Sequence, residues 1–372
     1  MSFTEGIVSA QFIHESAPFP SCHAATLVNT RRGSLLGAFF GGTHERHPDV
    51  CIYVARFENG NWTTPVNVAD GVQPDGSPRM PTWNPVLFEP RGGPLMLFYK
   101  VGPNPRQWWG MVKTSDDDGR TWSDAKRLPD GILGPIKNKP EQLESGLIVS
   151  PTSVELMADP NDDGLASAGA RSQEPGASSG DPRGANLLAP ASGWHVYFEL
   201  SEDNGKTWRA TPWVEQPPGV KAIQPSILIH SQSTLQAIGR TKSARLFEVW
   251  SRDGGRTWGK LSLTNLPNCN SGTDAVTLRD GRHLLVYNHS DTEKVRYPLN
   301  VALSHEGRDW QAAAVLDAEP PGQYSYPAVI QSSDGLVHVA YTWKRLKMKH
   351  VVLDPAKLRP RPMAPGGAWP SA

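Results

Sequence analysis

The chain has 372 residues and equal numbers of basic and acidic side chains, 37 of each. That balance excludes the basic stripe of a nucleic-acid binder, and no stretch is long and apolar enough to span a bilayer as a helix. The three cysteines, Cys22, Cys51 and Cys269, lie far apart with no CxxC pair, which argues against a cysteine-built zinc site and for buried reduced thiols.

The N-terminus, MSFTEGIVSAQFIHE, has neither a basic start nor a long apolar run, so no signal peptide is read there and a cytoplasmic location is expected. Gly (35), Pro (34) and Trp (13) are frequent and long amphipathic periods are missing, which points to an all-β array of short strands. One pattern then recurs along the chain: a polar cluster, an apolar strand, a turn and a second apolar strand. Its copies are SCHAATLVNTRRGSLLGAFF, TWNPVLFEPRGGPLMLFY, NKPEQLESGLIVSPTSVE, IQPSILIHSQSTLQAIGR, SGTDAVTLRDGRHLLVYN and YSYPAVIQSSDGLVHVAY. Six copies predict six blades of one closed propeller over residues 1–372, with the late KHVVLD strand pairing with the N-terminal segment to remove the open edge. The segment 159–193 is rich in Gly, Ser, Ala and Pro without apolar periodicity, so it is expected to be a flexible insertion loop. The basic run RLKMKH reads as a solvated strand edge.

Between these copies stand three matches to Ser-x-Asp-x-Gly-x-Thr-Trp. They are Ser115-Asp117-Gly119-Thr121-Trp122, Ser201-Asp203-Gly205-Thr207-Trp208 and Ser251-Asp253-Gly255-Thr257-Trp258. ARFENGNW, ending at Trp62, and LSHEGRDW, ending at Trp310, are altered copies. The pattern describes a locked hairpin. Gly supplies a left-handed turn, Asp binds turn amides, and Trp packs on the blade. The boxes resemble the Asp-box (BNR) repeats of the sialidase superfamily, which implies a six-bladed, sialidase-like β-propeller.

Equivalent repeat positions in a propeller converge on one mouth of the central channel. Before the inner strands stand His23, Trp83, Asn84, Asn138, Lys139, Gln224, Tyr324 and Tyr326; after the second strands stand His44, Lys100, Arg240 and His289. Cationic and aromatic residues dominate this set, and it suits an acidic sugar, because Arg forks a carboxylate and aromatic rings cover sugar C–H faces. His44, on the loop GGTHERHPD, and His23 are candidate general acid/base groups. Glu155 and Glu199, which flank the insertion, could add a carboxylate or serve in strand-edge ion pairs. No HExxH-like spacing marks a metal site, so neither metal nor cofactor is expected.

The resemblance implies further roles. Arg240, ending LQAIGR, and Arg296, in VRYPLNVALS, are similar to the second and third arginines that hold a carboxylate in sialidases. Tyr324, in QYSYPAVIQSSDG, resembles the tyrosine nucleophile, and Asp49, in THERHPDVCIYVAR, falls near the acid/base loop. Two positions depart from the family pattern: His23 stands near the first arginine's place, and Gln224 where a glutamate would partner the tyrosine. The expected activity is exo-hydrolysis of a carboxylate-bearing sugar. The alternatives are β-elimination at a uronic acid, or glycan binding without turnover. The expected partner is an acidic oligosaccharide, with neither nucleic acid nor membrane.

Overall fold

The computed structural model describes residues 3–156, 190 and 192–371. The insertion expected at 159–193 lies outside the described residues, except at its end, where Gly193 already opens a strand. Six antiparallel sheets follow one another around a central channel, forming a six-bladed β-propeller. Their innermost strands are Ser21–Asn29, Thr82–Phe88, Glu141–Gln142, Ala222–Ile229, Asp274–Thr277 and Tyr324–Gln331, which define blades 1 to 6. In blade 6 the outermost strand is the N-terminal Ile7–Phe12, paired with Lys347–Leu353. The N-terminal strand and the late Lys347–Leu353 strand thus share one sheet, and the ring closes as the sequence predicts.

Apolar clusters fill the blade junctions. Leu36, Phe40, Ile52 and Val54 of blade 1 meet Leu87, Leu97 and Tyr99 of blade 2, and Val286 and Val301 of blade 5 meet Val339 and Tyr341 of blade 6. On one rim the hairpins between first and second strands are stapled to the next blade. The backbone N–H groups of Arg31, Arg91, Glu144, Arg279 and Ser333 donate to the side chains of Glu89, Gln142, Gln232, Gln331 and Asn29 at 2.6 to 2.9 Å. Five of the six junctions carry this bond, so the blades are held in register by polar contacts as well as by packing.

The Asp boxes lie on that same rim. In each full copy the serine hydroxyl donates to the aspartate and receives the glycine N–H, while the threonine N–H and hydroxyl both donate to the aspartate. Gly255 sits at φ +87°, and a Cβ there would come within 2.9 Å of Val149. The tryptophans pack toward the preceding blade: Trp258 stacks on Phe198 of blade 3 at 3.8 Å, and Trp208 meets Phe98 of blade 2 edge-on. The box is therefore a hairpin lock that wedges an indole into a junction. The altered copy at Trp310 keeps the indole bond to Gly307 O, at 3.1 Å, with Ser304 still accepting two turn amides.

The three cysteines are buried and unpaired. No helix among the described residues is long and apolar enough to cross a membrane.

Replacing Asp253 by Ala removes the acceptor of three hydrogen bonds at one such lock. The variant should lose about 1–3 kcal/mol of stability in urea unfolding, with Asp253→Asn losing less; an unchanged midpoint would contradict the role of the box.

Candidate active site

The other mouth of the channel is built from the starts of the inner strands and the loops after the second strands. Four inner strands share one irregularity there. The register slips between His23 and Thr26, Trp83 and Val86, Ile223 and Ser226, and Ser325 and Ala328. Within each slip one non-glycine residue has positive φ: Ala24 (60°), Asn84 (37°), Gln224 (56°) and Tyr326 (53°). Such bulges bend a strand and re-aim a side chain, and a left-handed tyrosine is unusual enough to point to function.

The bulge decides which tyrosine reaches the mouth. Tyr324, expected as the nucleophile, is turned into the core between blades 5 and 6, where its hydroxyl donates to Glu319 O at 2.8 Å. Tyr326 takes the site position instead. Its hydroxyl receives Arg240 Nη2 at 3.0 Å, and its ring lies 4.2 Å from that of His23. The guanidinium carbons of Arg240 and Arg296 stand 5.5 and 5.7 Å from the Tyr326 ring centre. Arg240 is further fixed by Asn270, through its backbone carbonyl at 2.9 Å and its side-chain oxygen at 3.2 Å.

A third arginine, Arg345, joins them from blade 6. It belongs to the run RLKMKH, so the reading of that run as a solvated edge is corrected here. Lys344 (φ 53°) and Arg345 (φ 63°) form a tight left-handed turn after Val337–Trp343, the geometry favoured in two-residue hairpins. Arg345 is held by Glu45 at 2.7 Å, so the loop 43–49 sits over this same mouth. His23 therefore has an arginine beside it rather than one in its place.

His23 registers the resulting field. It is buried, with Nδ1 2.8 Å from Thr342 Oγ1. Burial, then Arg345, Arg296, Arg240 and Lys137, hold it well below the usual imidazole range. Burial, with Arg240 and Arg345, also lowers Arg296, while Tyr326 opposes them. Arg240 Nε and Arg296 Nη1 are buried without a protein hydrogen-bond partner among the described residues. Glu155, on the third blade, is pushed upward by burial against the pull of Arg240, Arg106, Lys242 and Arg46. Glu155 thus feels the charge of Arg240, whereas Glu199 is structural. Glu199 accepts the N–H groups of Leu133 and Gly134 at 2.7 and 2.8 Å.

The remaining expected residues are distributed as follows. Gln224 lies at its bulge with Oε1 buried and unpartnered among the described residues, and Asn84 occupies the equivalent bulge of blade 2. His44 is exposed, its Nδ1 2.9 Å from Glu45 O. Asp49 accepts the Thr43 N–H and hydroxyl at 3.0 and 2.6 Å and contacts His47 at 2.7 Å. Burial disfavours its charge, but these bonds prevail and keep the carboxyl below its usual range. Asn138 and Lys139 are at the channel axis, tied to Asp274.

Three expected ligand-binding residues are engaged elsewhere. Lys100 is fully buried, its amine on Pro135 O at 2.8 Å, and burial lowers it to about 7. Trp83 is core, donating to Gly102 O at 2.8 Å. His289 is held by Tyr287 at 2.5 Å and packs against Trp369. Lys100 and Trp83 are claimed by the blade interior, and His289 by Tyr287, two residues before it on the same face, and by Trp369, although offset counting assigns all three to the mouth.

Among the described residues no group of three or more His, Cys, Asp or Glu is placed to hold a metal ion. The mouth instead gathers two guanidinium groups around one phenol, with a third, that of Arg345, acting on His23 and an indole close by: the Trp194 ring centre lies 5.3 Å from the Arg240 guanidinium carbon. Such a constellation can fork a carboxylate and hold it against an aromatic wall.

Fold and mouth together define a sialidase-like propeller of the BNR-repeat kind. The chain belongs to the BNR repeat-like domain family, whose pattern matches residues 33–339. No curated relative matches the chain. A protein of unknown function from Dyadobacter fermentans superposes with a TM-score of 0.71 at 17% identity, covering 95% of this chain and 99% of that one. The intramolecular trans-sialidase of Ruminococcus gnavus gives 0.69 at 15% identity, covering 96% and 99%. The NanB sialidase of Streptococcus pneumoniae gives 0.68 at 12%, covering 94% and 71%. At these identities the likeness shows the fold.

Seven histidines, His14, His23, His230, His283, His289, His338 and His350, are held below the ordinary value, in each case first by burial. Below about 6.5 the unfolded chain therefore binds more protons than the folded one, and stability is lost as the pH falls. Each neutral histidine contributes at most about 1.4 kcal/mol per pH unit. Glu141 and Glu199, raised to about 7 by burial, and Glu155 act in the opposite sense but are fewer. Urea midpoints should be lower at about pH 5 than at about pH 7; an equal or higher midpoint would contradict burial of neutral imidazoles.

Proposed function

We propose that this protein is a carbohydrate-active enzyme, an exo-glycoside hydrolase that removes a carboxylate-bearing sugar from an acidic oligosaccharide. The observation that carries the reading is the gathering of Arg240 and Arg296 at the Tyr326 ring, with Arg345 adding its charge at His23. The arginines take the carboxylate through paired, charge-assisted hydrogen bonds. Tyr326 then faces the sugar's anomeric region, as nucleophile or as stabiliser of the oxocarbenium-like state, a tyrosine being the known exception to the two-carboxylate scheme. Glu155 supports a proton-donor role, since burial raises it toward the range where a carboxyl donates well. His44 and Asp49, on the loop that carries Glu45, are the alternatives. His23, neutral and packed on Tyr326, walls the site.

One feature favours a second reading, β-elimination beside a uronic acid. Gln224 puts an amide where a glutamate would pair with the tyrosine, and elimination needs no carboxylate pair. The arginines would neutralise the uronate, Tyr326 would remove the proton at C5, and as the C4–C5 double bond forms the C4–O bond would break, its oxygen leaving with a proton.

A panel of acidic and neutral oligosaccharides with mass detection tests both. Hydrolysis predicts products from carboxylate-bearing members alone, and elimination predicts a product lighter by one water. Arg240→Met and Tyr326→Phe should each lower kcat/KM by on the order of 100-fold, the value of one charged hydrogen bond or more. Equal cleavage of neutral sugars, or undiminished variants, would overturn the reading. Binding without any product would leave a glycan-binding propeller.

A further inference from the structure

Blade 3 has an unusually short inner strand, Glu141–Gln142. The segment before it therefore runs across the channel axis instead of along it. Three consecutive side chains from this segment tie the opposite blades together. Lys137 Nζ donates to Thr273 O at 2.8 Å and Pro327 O at 2.6 Å. Asn138 donates to Ser226 Oγ, Thr273 O and Asp274 Oδ1 at 2.6, 2.7 and 2.9 Å. Lys139 donates to Ala275 O at 2.8 Å and pairs with Asp274 at 3.4 Å.

The two lysines differ in their company. Asp274 is served by Lys139, Asn138, Ser226 and the Val329 N–H, so its hydrogen bonds are taken without Lys137. The bonds of Lys137 go to neutral carbonyls, and its ammonium lies 5.8 Å from the Tyr326 ring centre, where the face of an aromatic ring attracts a cation. It is 4% exposed. A Cβ at Gly272 would touch both Lys137 Cε and the Tyr326 ring, at 3.1 and 3.3 Å, so the backbone clears the space in which the two meet.

We propose that Lys137 is a positioning residue of the site, acting through Tyr326: from the floor of the mouth its ammonium sets the field at the ring that Arg240 and Arg296 flank. The inference rests on reading this mouth as an anion site. The groups that face Lys137 are Asp274 of blade 5, Arg240 of blade 4, His23 of blade 1, Tyr326 of blade 6 and Lys139 of its own segment. Burial, with Lys139 and Arg240 adding to it and Asp274 opposing, lowers Lys137 to about 7. The floor is thus charged on the acid side of neutrality and uncharged on the alkaline side, and the hold on an anion weakens as pH rises.

Carbon-13 labelling of tyrosine rings reads this directly in the full chain without any sugar. The Tyr326 signal, identified by its loss in Tyr326→Phe, should move in a step centred at about 7. The step should vanish in Lys137→Met and persist in Lys139→Met. If Lys137→Met does not fold, Lys137→Arg, which keeps a permanent charge, should also abolish it. His23 titrates on the acid side and cannot supply this step. Absence of the step in the wild type, or its survival in a folded Lys137 variant, would overturn the proposal. Because no ligand enters the measurement, it can fail while the glycosidase reading stands, and the reverse.

Discussion

Positive charge held at close quarters is the constraint on which this mouth depends. The four charges that press hardest on His23 are Arg345, Arg296, Arg240 and Lys137, and like charges brought together out of water repel strongly. The fold answers the repulsion piece by piece. Glu45 takes Arg345, Asn270 takes Arg240, two carbonyls take Lys137, and the Tyr326 ring lies against three of the four. Arg240 Nε and Arg296 Nη1 still have donors to give. A carboxylate entering from solvent would complete the set, and this is the sense in which the geometry is built for an acidic ligand.

The backbone makes that geometry possible. A regular strand alternates its side chains between two faces, and a regular inner strand would send Tyr324 and Tyr326 the same way. The bulge at Tyr326 breaks the alternation, so one tyrosine enters the blade core and the other the mouth. The same device at Ala24, Asn84 and Gln224 repeats around the ring. On the far rim the Asp boxes and the inter-blade staples hold the sheets in register, so that side chains from blades 1, 4, 5 and 6 meet at one mouth.

Much of the fold was legible in the sequence because it is periodic. Six strand–turn–strand copies and the Ser-x-Asp-x-Gly-x-Thr-Trp turns define the blades, and KHVVLD closes them with the N-terminal strand. Arg240 and His23 were legible as members of one mouth because each keeps its repeat offset, and Arg296 through the resemblance of VRYPLNVALS to the third arginine of sialidases. Tyr326 was read only as a binding residue, since a bulge leaves no mark in apolar alternation beyond the following proline, Pro327. Arg345 was hidden inside a basic run whose composition fits an exposed edge equally well; its position after the second strand of blade 6, the offset that Arg240 approximates in blade 4, was the available signal. Lys137 stands one residue before the pair taken from blade 3, and only the axial path of that segment reveals it. Lys100 and Trp83 have the right offsets but are claimed by the blade interior, and His289 is held by Tyr287 and Trp369.

Glycan-array binding, sorted by whether each glycan carries a carboxylate, tests the central claim most directly. The wild-type protein should retain carboxylate-bearing glycans and pass over their neutral counterparts, and the double variant Arg240→Met, Arg296→Met should lose that preference while remaining folded. Equal retention of neutral glycans, or a preference that survives in the double variant, would contradict an arginine-built carboxylate site.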